Sequence, residues 1–450
     1  MNLSEFSNYI KGKKVTVLGI GKSNVPLISF LLRKGAVITA RDKREELGEL
    51  SDNLTKMGVN LVLGEKYLED IDGDLVFRTP GIRPDLPQIE KAKENGAVIT
   101  SEMDLFFELC PCEIFAVTGS DGKTTTTTLV CELLKKAGFT CHLGGNIGKP
   151  LIGDIEKIKP HHKVIVELSS FQLFDMTHSP DVAVITNITP NHLDWHKNYN
   201  EYIESKRRIT AHFGEKNRLV VNLDNELTAE IGNVVRGEKV SISYGKPSDV
   251  YCDGKSIYVH GEKWFDTDII RIVGKHNVYN YMTAIAATLE KISKEQAIAV
   301  AEEFEGVVHR IEFVRELDGV RYYNSSIDSS PNRTINTLSV FDKNVVLISG
   351  GKDKGIPYDE IGAPICAKVK KLVLIGKTAD AIETAVRNAG GENIPEIFRA
   401  NTYPEAVNIA RSNAKKGDVV LLSPASTSFD MFNNFEERGD LFKKLVKDLI

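Results

Sequence analysis

The sequence predicts an α/β protein built from three domains. Its 450 residues correspond to about three domains at roughly 150 residues each. Short apolar runs alternate with amphipathic helical stretches along the whole chain, which is typical of a parallel α/β architecture. The predicted strands fall into three sets, so we place the boundaries near residues 105 and 310, giving domains 1–105, 106–310 and 311–450.

Each set of strands is separated by stretches with helical periodicity. In the first domain, strands are predicted at residues 15–18, 37–40, 61–63, 75–77 and 97–99, with a helix over 26–34. The second set lies at 114–117, 164–168, 182–186 and 219–221, with helices over 126–137, 201–213 and 277–290. Residues 240–265 are polar with scattered aromatic side chains, which predicts small β-hairpins. The third set lies at 320–323, 344–349, 371–375 and 418–423.

Composition and charge exclude several classes of protein. The chain has 42% hydrophobic and 26% charged residues, near the averages for globular proteins, so disorder and coiled coil are excluded as its main character. Its net charge of −5 argues against a general binder of nucleic acids or anionic membranes. The six cysteines include no Cys-x-x-Cys pair, so we expect buried free thiols. Because we find neither a targeting segment nor an apolar run of ~18 residues, we expect a cytoplasmic protein.

The strongest chemical signal is a glycine-rich loop between the strand at 114–117 and the helix over 126–137. Glycines let backbone N–H groups surround phosphate oxygens, and the helix N-terminus adds partial positive charge. Lys123 would contact the β- and γ-phosphates of ATP, and the Thr124 hydroxyl would bind Mg²⁺. The strict motif has glycine where this chain has Val117, so an ordinary strand-to-helix turn is the alternative. The loop consists of Gly119, Ser120, Asp121, Gly122, Lys123, Thr124, Thr125 and Thr126.

A second glycine-containing loop follows the first strand. Gly19-Ile20-Gly21 is similar to a dinucleotide fingerprint, but Asn24 replaces its third glycine. Asp42 ends the next strand, where a partner for a ribose hydroxyl would lie, and Thr79-Pro80-Gly81 follows another strand of this set. We favour a nucleotide other than NAD, and NAD or a purely structural turn are the alternatives.

Three side chains of the central domain are candidates for a metal or substrate site. Glu167 ends the strand that follows the phosphate loop, where a carboxylate commonly binds the metal of the nucleotide; a structural ion pair is the alternative. His192 follows the next strand, and by itself could equally be a hydrogen-bonded structural residue. Lys206 shares the apolar face of its helix with Ile203 and Phe213. It either extends to the surface, which the residues alone favour, or faces the metal site.

Taken together and in this order, the motifs resemble the muramyl ligase family. The resemblance covers nearly the whole chain, and residues 167–173 and 434–439 favour the branch of the family that adds D-glutamate. The matching motifs are residues 19–24, 79–81, 118–125, 144–148, 167–172, 187–194, 274–277, 309–310 and 423–439.

The resemblance implies a Rossmann-like N-terminal domain for a UDP group, a central P-loop ATPase domain and a mobile, Rossmann-like C-terminal domain. It implies that ATP drives the joining of UDP-N-acetylmuramoyl-L-alanine to D-glutamate through an acyl phosphate. Its partners would be these small molecules, without nucleic acid or membrane, and we expect a monomer.

The same resemblance assigns roles to individual residues. The UDP group would contact Gly21, Lys22, Ser23, Asn24, Asp42, Arg44, Thr79, Pro80 and Gly81, and the muramoyl group would contact Asn146 and His192. Besides the phosphate loop, ATP would contact Asn277 and Arg310. Thr124, Glu167, His192 and Lys206 would serve two Mg²⁺ ions, with Lys206 as the family's carbamylated lysine, which reverses the interpretation from the residues alone. The catalytic candidates are Lys123, Glu167, His192 and Lys206, and D-glutamate would contact Lys354, Ser428 and Phe435.

One stretch departs from the family pattern. Where members often read Asn-Asp-Ser-Lys-Ala-Thr-Asn, residues 324–330 carry Ile327 in place of the lysine, and the acidic residue is Asp328 rather than residue 325. Asp328 is a candidate replacement for that carboxylate, but the usual contacts to nucleotide and amino acid are not carried over here.

Two alternatives to D-glutamate addition follow from the same residues. One is another ligase of the family, specific for L-alanine, a diamino acid or a folate; the first domain argues against folate, and the lack of an Asp-Asn-Pro-Arg stretch argues against the diamino-acid branch. The other is a non-catalytic nucleotide sensor, which would not release phosphate in response to an amino acid.

Overall fold

The computed structural model describes residues 1–192 and 195–450, so the part of the 187–194 motif at Leu193 and Asp194 lies outside the described residues. The described strands form sheets of five, nine and six strands, which confirms an α/β fold with three mostly parallel sheets. The chain divides into two compact units, Met1–Ile269 with Lys275–Glu302, and Ile270–Gly274 with Glu303–Ile450. The boundaries near 105 and 310 stay predictions.

The first sheet is parallel and has the order β3-β2-β1-β4-β5. Its strands are β1 (Lys14–Leu18), β2 (Val37–Asp42), β3 (Asn60–Leu63), β4 (Leu75–Arg78) and β5 (Val98–Thr100). Its helices are α1 (Leu3–Ile10), α2 (Asn24–Arg33), α3 (Glu49–Lys56), α4 (Pro87–Glu94) and α5 (Glu102–Leu109). The chain direction across the sheet reverses between β1 and β4, and ligands of open α/β sheets bind at such a switch point. The loops after these two strands are therefore neighbours at the expected site.

The second sheet has the order β14-β13-β12-β11-β10-β9-β6-β8-β7. Its strands are β6 (Glu113–Thr118), β7 (Cys141–Gly145), β8 (Lys163–Glu167), β9 (Val182–Ile185), β10 (Arg218–Asn222), β11 (Glu238–Tyr244), β12 (Val250–Cys252), β13 (Ser256–Val259) and β14 (Glu262–Asp266). Its helices are α6 (Lys123–Lys136), α7 (Ser170–Leu173), α8 (Tyr199–Arg207), α9 (Glu226–Val234), α10 (Lys275–Thr288) and α11 (Lys294–Glu303). The hairpin prediction over 240–265 holds for β12–β14, which pair antiparallel, whereas β11 pairs parallel with both neighbours.

The third sheet has the order β15-β16-β20-β17-β18-β19, and only the β15–β16 pair is antiparallel among its described strands. Its strands are β15 (Glu312–Leu317), β16 (Val320–Asn324), β17 (Val345–Ser349), β18 (Val369–Ile375), β19 (Glu396–Ala400) and β20 (Val419–Leu422). Its helices are α12 (Pro331–Leu338), α13 (Gly362–Lys368), α14 (Ala379–Gly390), α15 (Tyr403–Asn413) and α16 (Phe435–Asp448).

The three strands that the sequence did not predict, β7, β15 and β19, each lie at the edge of a sheet. Central parallel strands are buried on both faces and form continuous apolar runs, whereas these edge strands are only partly buried. Their mixed sequences therefore resemble loops. Across the described residues, none of the helices has the length and apolar character needed to span a membrane. All six cysteines are free thiols in this part of the chain, but Cys110 and Cys141 are only half-buried, contrary to expectation.

Candidate functional site

The phosphate loop lies between β6 and α6, as the sequence predicts, and its glycines are required by its geometry. Gly119 has φ of 143°, and a Cβ at this position would clash with the Thr186 hydroxyl of the neighbouring strand end. Gly122 has φ of 76° and precedes the first residue of α6, where a Cβ would clash with Asn280. Glycine alone fits both positions, so the backbone N–H groups at the start of α6 stay accessible to an anion.

Two lysines converge on one carbonyl of this loop. Lys123 Nζ donates to the Gly119 and Ser120 carbonyls at 3.0 and 2.9 Å. Lys206 Nζ, from α8, donates to the same Gly119 carbonyl at 2.7 Å. The Lys123 amine and the N-terminus of α6 therefore lie together, an arrangement that favours an anion such as a phosphate group.

Lys206 faces inward rather than toward solvent. It is 2% exposed, and its Nζ lies 4.8 Å from the centre of the Tyr202 ring. Burial, followed by the nearby charge of Lys123, places the pKa of Lys206 well below its ordinary value. The amine is therefore more often neutral than a surface lysine, and a neutral amine is the nucleophilic form.

Glu167 ends β8 directly beside the first turn of α6. Its Oε2 accepts a hydrogen bond from the Thr124 hydroxyl at 2.6 Å, and its Oε1 accepts one from the Asn146 amide at 2.8 Å. A Cβ on Gly145 would clash with the Glu167 backbone, so the strand pairing requires glycine there. Hydroxyl and carboxylate oxygens are the ligands that Mg²⁺ prefers, so these residues fit a magnesium site next to the phosphate loop.

His192 follows β9 on an exposed turn with a left-handed backbone, φ 53°. Its ring packs edge-on against Phe171, with ring centres 5.1 Å apart. The turn is tied to the phosphate loop because the Ser120 hydroxyl donates to the Thr189 carbonyl at 2.9 Å. His192 thus lies on a segment whose position depends on the phosphate loop.

The start of α10 packs across the start of α6. Asn280 accepts a hydrogen bond from the Thr126 hydroxyl at 3.2 Å and donates to Asn277 at 2.9 Å. The predicted ATP residue Thr126 is therefore fully buried and turned toward α10, while the Asp121 backbone N–H is held by Asn187 at 3.0 Å. Thr125 is half-buried on the same turn.

The predicted UDP residues assemble at the switch point of the first sheet. Asp42 accepts hydrogen bonds from the Ile20 backbone N–H at 2.7 Å and from Arg44 Nε at 2.8 Å. Mainly because Arg44 donates to it, the pKa of Asp42 is lowered to about 2. The carboxylate is therefore ionised and accepts hydrogen bonds in the loop after β1. The other predicted UDP residues lie on the loops after β1 and β4; they are Gly21, Lys22, Ser23, Pro80 and Gly81.

The loops after β1 and β4 are in close contact. A Cβ on Gly19 would lie 2.7 Å from Thr79 Cγ2, and Asn24, buried at the start of α2, donates to the Gly19 carbonyl at 2.8 Å. Behind them the fully buried Arg78 forms an ion pair with Asp175 of the segment after α7. The two loops are therefore fixed to each other and to the segment after α7.

The predicted amino-acid residues belong to the second unit and lie on neighbouring loops. A bridge joins Lys352 to Thr427, which brings the loop carrying the exposed Lys354 next to the buried Ser428. The buried Arg438 donates to the Ser426 carbonyl at 3.1 Å and to the Ser326 hydroxyl at 2.9 Å. That hydroxyl in turn donates to the Phe435 carbonyl at 2.8 Å. Arg310 belongs to the same unit, two residues before β15 begins.

Asp328 is an interior residue of the second unit. It is 4% exposed and accepts hydrogen bonds from the hydroxyls of Thr337 and Ser423 at 2.8 and 2.7 Å. Burial raises its pKa. The Asp328 carboxylate therefore holds Ser423, which directly follows β20 and begins the loop that carries Ser428.

Sequence reasoning missed several residues that shape the site. Tyr202 shares a 2.8 Å hydrogen bond with the Ser120 hydroxyl, and its position one turn before Lys206 on the same helical face was the available signal. Asn280 lies one turn after the predicted Asn277 and could have been found in the same way. For Arg78 the sequence offers no such signal, because its partner is 97 residues away.

Family models match three consecutive parts of the chain. Residues 13–101 match the Mur ligase MurD-like N-terminal domain, residues 117–288 the Mur ligase middle domain, and residues 309–426 the Mur ligase glutamate ligase domain. These three stretches include the predicted UDP loops, the phosphate loop and part of the predicted amino-acid site.

Similar proteins extend over the whole chain. A UDP-N-acetylmuramoylalanine–D-glutamate ligase of Ruminiclostridium cellulolyticum is 50% identical and aligns with 99% of both chains. A protein of the same name from Clostridium perfringens is 46% identical over 100% of this chain and 99% of its own. Among solved structures, UDP-N-acetylmuramate-alanine ligase of Thermotoga maritima has a TM-score of 0.59 at 20% identity, covering 97% of this chain and 99% of that one. MurF of Acinetobacter baumannii has a TM-score of 0.57 at 14% identity, covering 98% and 92%.

The solved structures share the fold at low identity, while the sequence relatives share about half of all residues from end to end. With three consecutive family models on the same chain, these likenesses are sufficient for assignment: the chain belongs to the Mur ligase family.

Proposed function

We propose that the protein is a UDP-N-acetylmuramoyl-L-alanine–D-glutamate ligase, which uses ATP to form an amide bond in the synthesis of peptidoglycan precursors. The observation that carries this proposal is the 50% identity over 99% of both chains to a ligase of that name. Lys123 at the phosphate loop and the Glu167 carboxylate next to it support the proposal, since a lysine and a metal-binding carboxylate are groups that ATP chemistry uses.

In the proposed reaction, the carboxylate of UDP-N-acetylmuramoyl-L-alanine attacks the γ-phosphorus of ATP and ADP leaves, which gives an acyl phosphate. The amine of D-glutamate then adds to the acyl carbon, and phosphate and a proton leave as the amide forms. Lys123 and the N–H groups at the start of α6 would stabilise the negative charge on the transferred phosphoryl group. Asn277 and Arg310 would contact ATP, and Asn146 and His192 would orient the muramoyl substrate.

Thr124 and Glu167 would hold Mg²⁺, because their oxygens already lie 2.6 Å apart beside the phosphate loop. His192 and Lys206 would complete the sites for two ions. When bound, Mg²⁺ neutralises charge on the phosphate oxygens. The residues themselves orient this centre, since Asn146 donates to the second oxygen of Glu167.

Lys206 would be carbamylated in the active enzyme. Its enclosed amine has a lowered pKa, and in the neutral form its nitrogen would bond to the carbon of CO₂ and release one proton to solvent, which leaves the carbamate anion. The carbamate would replace an amine that lies beside Lys123 with an anion, so the like-charge repulsion at the Gly119 carbonyl would become an attraction.

The remaining assignments concern binding and organisation. Residues 1–105 would bind the UDP group, 106–310 ATP, and 311–450 D-glutamate through Lys354, Ser428 and Phe435. We place the enzyme in the cytoplasm, where ATP and UDP-linked sugars are available, and propose that it acts as a monomer because the candidate ATP and UDP residues come from one chain.

The test is phosphate release from Mg·ATP with UDP-N-acetylmuramoyl-L-alanine, comparing D-glutamate, L-glutamate, L-alanine and a diamino acid. We expect release only when both the UDP substrate and D-glutamate are present. Release with another amino acid would move the protein to a different branch and would connect that change to Ile327 and Asp328. No release with any of them would refute the ligase function.

A further inference from the structure

A single arginine connects the UDP loop after β4 with the helix that carries Lys206. Arg83 Nη1 and Nη2 donate to the two carboxylate oxygens of Glu201 in α8 at 3.0 and 2.9 Å. Nη1 also donates to the Trp195 carbonyl at 2.9 Å, while Nε and Nη2 donate to Asp85 at 2.8 and 3.0 Å. All five N–H groups are therefore bonded to protein, and Arg83 has no donor left for a substrate.

Two aromatic rings lie against the guanidinium of Arg83. Its carbon lies 4.8 Å from the centre of the Trp195 ring and 5.2 Å from that of Phe174, distances at which a cation is attracted to a ring. The Trp195 indole N–H donates to the Gly81 carbonyl at 3.1 Å. The same cluster therefore holds both Arg83 and the loop that would contact the UDP group.

The charges of this cluster are fixed at working pH. Arg83 lowers the pKa of Glu201 to about 2 by donating to it, and it lowers the pKa of Asp85 as well. Asp85 is also paired with Lys197, whose side chain is 64% exposed. The Arg83–Glu201 pair is the enclosed part of the cluster, with side-chain exposures of 16% and 19%.

Helix α8 carries the connection onward to the phosphate loop. Tyr202, the residue after Glu201, shares a 2.8 Å hydrogen bond with the Ser120 hydroxyl. One turn later, Lys206 donates to the Gly119 carbonyl at 2.7 Å. A displacement of the first turn of α8 therefore moves both contacts.

We propose that Arg83 is a positioning residue of the ligase reaction. It fixes α8 against the UDP loop, so that the bound UDP substrate and Lys206 keep a fixed position relative to the phosphate loop. This inference rests on the proposed function, because the position of Lys206 matters only if the ligase reaction takes place. It predicts that loss of Arg83 slows the chemical step without weakening the binding of the UDP substrate.

The test compares Arg83→Met, Arg83→Lys, Glu201→Gln and the double variant Arg83→Met/Glu201→Gln with the wild-type enzyme. Lys197→Met is the matched control: it removes an ammonium that pairs with Asp85 of the same cluster but keeps the backbone N–H through which Lys197 donates to Glu201 at 2.8 Å. Initial rates of phosphate release give kcat and KM, calorimetry without ATP gives the Kd of the UDP substrate, and thermal unfolding confirms that each variant is folded.

We expect Arg83→Met to lower kcat roughly 10- to 100-fold, the size of effect that a misplacement of about 1 Å produces. The Kd of the UDP substrate should change less than ~3-fold, because Arg83 has no free donor for it. Arg83→Lys should not restore kcat, since an ammonium cannot bond a carboxylate in two places and stack on Trp195. The double variant should be no slower than Arg83→Met, because both changes remove the same contact, the one between Arg83 and Glu201.

A kcat within about 2-fold of wild type for Arg83→Met, a difference too small for a lost positioning contact, would overturn the inference. A Kd that rises in proportion to the loss of activity would also overturn it, because Arg83 would then be a binding residue. If Arg83→Met does not fold, Glu201→Gln tests the same contact with little change of shape. Failure of the proposed function would look different, since the wild-type enzyme itself would then show no release that depends on D-glutamate.

Discussion

Glu102, the first residue of α5, should make the folded protein less stable as the pH rises. It is 5% exposed, and its Oε1 has no hydrogen-bond partner among the described residues. Burial raises its pKa from 4.5 to about 7, although the Ile152 backbone N–H, which donates to it, opposes the change. Between pH 4.5 and about pH 7, the folded state therefore keeps a proton on Glu102 that the unfolded state has lost.

The sign and size of the effect follow from proton linkage. Where the folded state binds more protons, stability falls as the pH rises, so the loss begins near pH 4.5 and is complete above pH 7. At ~1.4 kcal/mol for each pH unit of this window, ionised Glu102 costs about 3 kcal/mol at pH 8. Glutamine has the shape of the protonated carboxyl but does not ionise. Glu102→Gln should therefore exceed the wild type by less than ~1 kcal/mol at pH 5 and by about 3 kcal/mol at pH 8.

The assay is denaturant and thermal unfolding of both proteins at pH 5 and pH 8. A gain of about 3 kcal/mol corresponds to a rise in Tm of about 6 °C at pH 8 for the compact unit that contains Glu102. Glu94→Gln, on the exposed face of α4, is the control and should differ from wild type by less than ~0.5 kcal/mol at both pH values. An equal difference between Glu102→Gln and wild type at the two pH values would refute the reasoning, because the glutamate would then not be titrating in this window.

Three further predictions concern the phosphate loop and its lysines. Lys123→Ala should lower phosphate release at least ~100-fold, because its amine donates to the Gly119 and Ser120 carbonyls of the phosphate loop, where the transferred phosphoryl group would lie; thermal unfolding checks that the variant is folded, and normal turnover by the folded variant would contradict the assignment. Gly119→Ala should abolish ATP binding and cost about 1–3 kcal/mol of stability, since φ is positive and a Cβ would clash with Thr186. Gly214→Ala, where a Cβ has room, should leave both unchanged in the same calorimetric and unfolding measurements. Lys206→Ala should lose activity and regain part of it with a short carboxylic acid such as acetate; full activity without the acid, or no recovery with it, would count against the carbamate.

The sequence was sufficient wherever a feature depends on residues close together in the chain. The phosphate loop was predicted because strand, glycines, lysine and helix follow one another within residues 114–137. The central strands were predicted because burial on both faces makes them continuous apolar runs. The partly exposed edge strands β7, β15 and β19 lack that signal, so their assignment needed the pairing partner that only the fold supplies.

The limits of sequence reasoning are clearest at Asp328 and Arg83. Asp328 lies in the stretch that departs from the expected family motif, and nothing local indicates that its partners are the hydroxyls of Thr337 and Ser423. Arg83 follows a loop that was predicted, but its partner Glu201 lies 118 residues further along. Such contacts depend on how elements dock, and docking depends on the packing of the whole unit rather than on any local pattern.

Lys206 shows why the inward and outward interpretations could not be separated without the fold. Helical periodicity places it on an apolar face, but a lysine on such a face can extend to solvent or point inward with the same sequence. The choice is made by what covers the face: Tyr202 and the phosphate loop leave the amine 2% exposed. Burial beside Lys123 disfavours the protonated amine, so the fold maintains a position that favours the neutral side chain. A buried amine with a lowered pKa that donates to a phosphate loop is the kind of perturbed group that clusters at functional sites.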